Sequence, residues 1–100
     1  MTSYTHRKWG SIEEAETKRR IRVALWAYAY EVHSDSLVDD VTFDKECESI
    51  DLSVNTLNKD MDTWYRENFD PCTGQWVHNH PNKEGLERLY QLTKGTGVTR

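Results

Sequence analysis

Hydrophobic and polar positions recur with a helical period along most of the chain. Ser11-Ile12-Glu13-Glu14 has the form of a capping box, in which the Ser hydroxyl accepts an orphan backbone N–H and Glu14 reaches back to the cap's own N–H. A helix is predicted to start there. Ile21, Leu25, Tyr28 and Val32 then recur at helical spacing, Ala24, Ala27 and Ala29 add propensity, and nothing breaks the pattern before Ser34. The first helix is therefore predicted over Ile12–His33. Trp26 and Tyr30 fall beside its main stripe, so it is expected to be central and contacted on more than one side. After a polar connection over 34–41, Asp39 or Asp40 can cap a short second helix carrying Phe43, Cys47 and Ile50 at i, i+4 and i+7. Leu52, Val54 and Leu57 have no firm period. Met61, Trp64, Tyr65 and Phe69 mark one face of a third helix, and Asn82 can cap a last one with Leu86, Leu89 and Tyr90 as its buried stripe and Gly95 as its stop.

The sharpest local signal is Phe69-Asp70-Pro71-Cys72-Thr73-Gly74-Gln75-Trp76. Asp70 can accept from backbone N–H groups ahead of it, Pro71 fixes φ at the second turn position, and Gly74 is expected to take a positive φ to close the reversal. The stretch resembles the turn of the designed mini-protein chignolin at its aromatic, Asp-Pro, Thr-Gly and Trp positions, which implies Phe69 or Tyr65 packing near Trp76. The fold class predicted is mainly α, about four helices in a small bundle with one hairpin-like turn near residues 69–77. A length of 100 residues suits one domain with one modest core. Residues 1–10 are expected to form an arm and residues 96–100 to fray.

Apolar residues make up 36% of the chain, which is lean, but the 11% aromatic content is too high for a disordered chain and points to an aromatic core. No run of about 18 apolar residues and no apolar leader exist, so neither a membrane span nor a signal peptide is expected, and a cytoplasmic location follows. Cys47 and Cys72 form no C-x-x-C pair and are read as reduced thiols. The net charge of -4 is regional: residues 31–70 carry three Lys/Arg against twelve Asp/Glu. Only Lys18, Arg19, Arg20 and Arg22 are clustered enough to meet phosphates, and the acidic middle argues against duplex DNA as a partner. The plain reading of both charge runs is solvated helix faces.

Chemistry-bearing patterns are few. Cys72, His78 and His80, which Asp70 and the remote Cys47 could join, lack the paired spacing of a zinc site, so no metal is expected. No nucleophile elbow, activated cysteine or glycine-rich phosphate loop is present. What remains is Tyr28, Tyr30 and Glu31 at the end of the first helix with Asp40, Phe43 and Asp44 at the start of the second. If these helices pair antiparallel, aromatics and carboxylates share one patch. Such a patch suits a flat, hydroxyl-bearing or cationic ligand, since rings stack on it and carboxylates accept from hydroxyls or an amide.

The stretches Trp26-Ala27-Tyr28-Ala29-Tyr30-Glu31-Val32-His33 and Asp39-Asp40-Val41-Thr42-Phe43-Asp44 resemble the N-terminal Ia domain of bacterial NAD-dependent DNA ligases. In that family a helix ends in Tyr-x-Tyr-His/Tyr, and Asp-x-x-Tyr-Asp opens the next after a short loop. The resemblance covers roughly residues 19–50. It implies a ligase Ia-like helical hairpin over 11–50, with the C-terminal helices and turn read from spacing over 51–95, and it implies that Tyr30, Asp40 and Asp44 hold the nicotinamide mononucleotide half of NAD. Two positions depart from the pattern: Glu31 replaces the usual His or Tyr, and Phe43 replaces a Tyr. Each change removes a donor, and Glu31 adds negative charge where a phosphate would approach. The Lys-x-Asp-Gly motif of the adenylated lysine is missing, so the chain is not a complete ligase. Its second half is similar to small phage-encoded ligase-related proteins, which implies a viral module acting on host defence.

The function expected is therefore a non-enzymatic module binding NAD, nicotinamide mononucleotide or another nicotinamide or adenine nucleotide, with no catalytic cofactor. The ligand-binding residues expected are Trp26, Tyr30, Glu31, Asp40, Phe43 and Asp44, with Arg19 and Arg22 meeting phosphate. The alternative is an acidic, nucleic-acid-mimicking inhibitor of a host protein, engaged through the acidic middle. Exposed aromatics leave a homo-oligomer open.

Overall fold

A computed structural model of the chain describes residues 11–95. In chain order it contains α1 (Ile12–His33), α2 (Asp40–Ser49), α3 (Lys59–Asn68), a 3₁₀ segment (Gln75–Asn79) and α4 (Lys83–Lys94). This is a mainly α fold of four helices, with no strand among the described residues. No helix among them is long and apolar enough to cross a membrane. The expected arm over 1–10 and frayed tail over 96–100 lie outside the described residues.

Local chemistry sets the helix ends. Ser11 Oγ accepts the Glu14 N–H at 3.1 Å, Asp39 Oδ1 accepts that of Thr42 at 2.8 Å, and Asn58 and Asn82 cap α3 and α4 from Met61 and Gly85 at 3.1 Å each. The capping box is completed on one side only, because Glu14 Oε1 is buried with no hydrogen-bond partner. α1 stops at Ser34, whose φ of 55° turns the chain left-handed. Its N–H reaches Tyr30 O and the next N–H, of Asp35, reaches Ala29 O, both at 3.0 Å. α4 stops at Gly95, also left-handed at φ 81°.

α1 is the central helix, packed by α2, α4 and the 3₁₀ segment. Its buried arc keeps Leu25 and Tyr28 of the predicted stripe but not its two ends. Ile21 and Val32 are each 47% exposed, whereas Val23, Ala24, Ala27 and Ala29 are buried together with Glu16 and Arg20. Small alanines let three neighbours approach α1 closely, and this tight packing sets the arc more than side-chain size does. Around it Tyr65, Phe69 and Trp76 form the aromatic core expected, with centroids 5.8 Å apart for Tyr65–Trp76 and 5.1 Å for Phe69–Trp76.

The reversal at 69–77 is a turn that runs into the 3₁₀ segment rather than into a strand. Cys72 N–H bonds Asp70 Oδ1 at 2.9 Å, and i→i−3 bonds from Val77 to Gly74 and from His80 to Val77 continue it. Gly74 has φ −102°, not the positive value expected. Proximity favours glycine there, since a Cβ would lie 3.1 Å from Ala27 Cβ, tighter than an ordinary contact.

The charge run on α1 is only partly a solvated face. Arg20 is 4% exposed and its guanidinium bonds Glu16 Oε2 and Asp62 Oδ1, both at 2.8 Å, and the carbonyls of Asp51 at 2.9 Å and Val54 at 3.2 Å. Thr56 completes Asp62 from its N–H at 2.9 Å and its hydroxyl at 2.7 Å. The aperiodic stretch between α2 and α3 is thus held by a buried ionic knot. Burial pushes the Asp62 carboxyl up, but the bonds from Thr56 and Arg20 outweigh it and hold its pKa below the ordinary value.

Candidate functional site

The end of α1, the 34–39 connection and the first turn of α2 enclose a cleft with a cavity volume of about 240 Å³. Trp26, Tyr30 and Glu31 line it from α1, Asp40 and Phe43 from α2, and Thr73 and Gly74 from the turn. Helical geometry explains the grouping. Trp26 and Tyr30 are one turn apart on α1, and the left-handed Ser34 directs the chain back so that α2 starts beside them. The two helices pair antiparallel, with Arg22 near the middle of α1 joined to Glu46 on α2 through its Nε at 2.9 Å. Gly74 sits against Ala27 and Phe43, so the absence of a side chain there helps keep the cleft open.

Among the sequence-predicted residues, the cleft gathers Trp26, Tyr30, Glu31, Asp40 and Phe43. Asp44, Arg19 and Arg22 are not among its lining residues. Asp44 lies one turn beyond Asp40 and is exposed. Both arginines are already engaged: Arg19 Nη1 meets Glu16 Oε1 at 2.7 Å, and Arg22 is held by Glu46. The expected phosphate role for Arg19 and Arg22 therefore has no support in the geometry. Tyr28, the other ring of the patch, points elsewhere: it is buried, and its hydroxyl donates to Glu87 Oε1 at 2.6 Å.

Several lining groups are available to a ligand. Asp39 serves as the α2 cap, and the bonds from Thr42 hold its pKa below the usual carboxylate range. That leaves the exposed Asp40 carboxylate without a partner among the described residues, as is the hydroxyl of Tyr30, a residue 61% exposed. Glu31 differs, because His78 Nε2 on the 3₁₀ segment holds its Oε1 at 2.9 Å. Lys83 Nζ in turn meets the His78 carbonyl at 2.8 Å. The link between Glu31 and His78 spans 47 positions, and no local pattern announces it. Thr73, Gly74 and Leu37 likewise join the cleft by tertiary placement alone.

A second, wider groove of about 610 Å³ runs between α1, α3 and α4, lined by Ile21, Met61, Trp64, Leu86 and Leu89 among others. Apart from the exposed Asp60, its polar side chains are engaged with structural partners. Arg20 belongs to the ionic knot, and His80 Nδ1 accepts the Asn82 N–H at 3.0 Å. Burial lowers the His80 pKa to about 4, with Lys83 adding to the effect, so its imidazole is neutral at pH 7. The smaller cleft is the better candidate because aromatic rings and unpartnered polar groups converge there. No cluster of His, Cys, Asp or Glu suited to a metal ion occurs among the described residues. Cys47 is buried and its thiol is pushed up to about 12 by burial and by Asp44, Glu46 and Glu48, which makes it a poor nucleophile. Compared with protein-family models, curated proteins and solved structures, the chain matches none.

Proposed function

We propose that this chain is a non-enzymatic module that binds the nicotinamide portion of NAD, or of an NAD-derived nucleotide, in the cleft between α1 and α2. The observation that carries this reading is the convergence of Trp26, Tyr30, Glu31, Asp40 and Phe43 on one concave surface, with Asp40 and the Tyr30 hydroxyl unpartnered among the described residues. Tyr30 and Trp26 supply ring surface for a flat base. Asp40 accepts from a ribose hydroxyl or a carboxamide N–H. The cleft is smaller than the roughly 300–1,000 Å³ typical of sites for drug-sized ligands, so it suits one half of a dinucleotide. A virus-encoded module of this kind would act by sequestering a host nicotinamide-bearing signal one for one.

Calorimetric titration with NAD, nicotinamide mononucleotide and ADP-ribose tests it. The nicotinamide-bearing ligands are expected to bind and ADP-ribose, which lacks the nicotinamide, to give no heat. Tyr30→Ala and Asp40→Ala are each expected to weaken binding by about tenfold, the loss of one stacking or charge-assisted contact. Absence of heat with all three ligands from a folded sample would contradict the reading. The acidic exposed face of α2 would then be the surface to test against a protein partner.

A further inference from the structure

We propose that the cleft discriminates by charge, favouring the oxidised, positively charged pyridinium ring of a nicotinamide nucleoside and disfavouring the same nucleoside once it carries a phosphate. The inference rests on the nicotinamide reading of this cleft and specifies its ligand class.

The electrostatics of the lining point one way. Trp26, Tyr30 and Phe43 supply three aromatic rings, Glu31 and Asp40 supply two carboxylates, and no Lys or Arg is among the described residues that line the cavity. A cation is attracted by the negative faces of the rings and by both carboxylates. A neutral dihydropyridine ring keeps the apolar contact and loses the electrostatic attraction.

A phosphate seeks a cation or an open helix N-terminus, and the two arginines that the sequence offered it and the α2 N-terminus are already engaged. Arg22 is paired with Glu46, Arg19 with Glu16, and Lys83 Nζ lies on the His78 carbonyl. The α2 N-terminus would attract an anion through its unpaired N–H groups. Asp39 occupies it instead, bonding the Thr42 N–H at 2.8 Å, and Asp40 adds a second negative charge in the first turn. His78 meets the lining from the 3₁₀ segment, and its Nε2 is spent on Glu31 at 2.9 Å.

The test is calorimetry on the full chain at neutral pH and fixed ionic strength. The ligands are nicotinamide riboside, its dihydro form, nicotinamide mononucleotide, and the pair 1-methylnicotinamide and nicotinamide. Each cation is expected to bind at least about tenfold more tightly than its neutral counterpart, the scale of one partly desolvated cation–ring or ion-pair contact. The riboside is expected to bind about tenfold more tightly than the mononucleotide, since each nearby carboxylate opposes the phosphate. Asp40→Asn, exposed and free of structural bonds, is expected to narrow the riboside-to-mononucleotide ratio while lowering the thermal midpoint by no more than a few degrees, the loss of one first-turn helix charge. A mononucleotide that binds as tightly as the riboside, a dihydro form that binds as tightly as the oxidised one, or a ratio that Asp40→Asn leaves unchanged overturns the charge inference and leaves the nicotinamide reading standing. Failure of all five ligands to bind the folded chain overturns both.

Discussion

Arg20 places its guanidinium in the core, between two carboxylates and two backbone carbonyls. Removing one partner of a buried ion pair leaves the others charged and unpaired, so Arg20→Ala is expected to destabilise the fold by about 3–5 kcal/mol, measured by urea unfolding. Arg19 and Arg22, partly or largely exposed, are expected to cost less than about 1 kcal/mol each in the same measurement. Their neighbourhood in sequence conceals this difference. What separates Arg20 is Asp62, 42 positions away, and no local pattern carries that pairing. His80 presents a second residue-scale test. Its Nδ1 accepts a backbone N–H, so protonation removes that bond. The folded pKa of about 4 lies below the ordinary 6.5, so the unfolded chain takes up the proton first. The stability that neutral His80 contributes is full above about pH 6.5 and falls as the pH drops toward 4. Thermal midpoints across that window are expected to decline in the wild-type chain and to decline less in His80→Gln.

Each helix end is written locally, and this is why the elements were legible while their neighbours were not. Ser11, Asp39 and Asn82 cap through side chains three positions from the N–H groups they accept, and Gly95 closes α4 as a left-handed residue. Ile21 and Val32 fit the helical period of α1 equally well, yet they are exposed, because α2, α4 and the 3₁₀ segment select a different arc of that helix. Ser34 holds a left-handed conformation that glycine adopts without penalty, so Ser34→Gly is expected to stabilise the fold by up to about 1 kcal/mol, read from the urea midpoint. Beside it, α1 is fastened to α4. His33 stacks on Tyr90 at 4.1 Å, and both His33 and Tyr28 meet Glu87 Oε1. Hydrogen bonds from Tyr28, Gln91 and His33 draw the Glu87 pKa from 4.5 to about 2. A lowered carboxylate contributes stability above its unfolded pKa and loses it as the pH falls, here between about 4.5 and 2. Glu87→Gln is expected to flatten the acid limb of the thermal midpoint in that range and to leave the limb governed by His80 in place.

For the whole molecule, the central claim is that the concave junction of α1 and α2 is a ligand site. Its walls were legible in part. Tyr30, Glu31, Asp40 and Phe43 stood out because the connection between the two helices is short and helical spacing puts them near one another. The phosphate role given to Arg19 and Arg22 came from charge and helix position, and their pairing with Glu16 and Glu46 turns them to other work. The contributions of Thr73 and Gly74, and the His78 bond to Glu31, arise from tertiary packing of a segment more than 40 positions away. The most direct measurement is an amide and indole chemical-shift map of the isotope-labelled chain titrated with nicotinamide riboside. The account predicts saturable shifts concentrated on the Trp26 indole, Tyr30, Glu31, Asp40, Phe43 and Gly74. Shifts confined to the groove around Trp64 and Leu89, or no saturable shift at all, would contradict it.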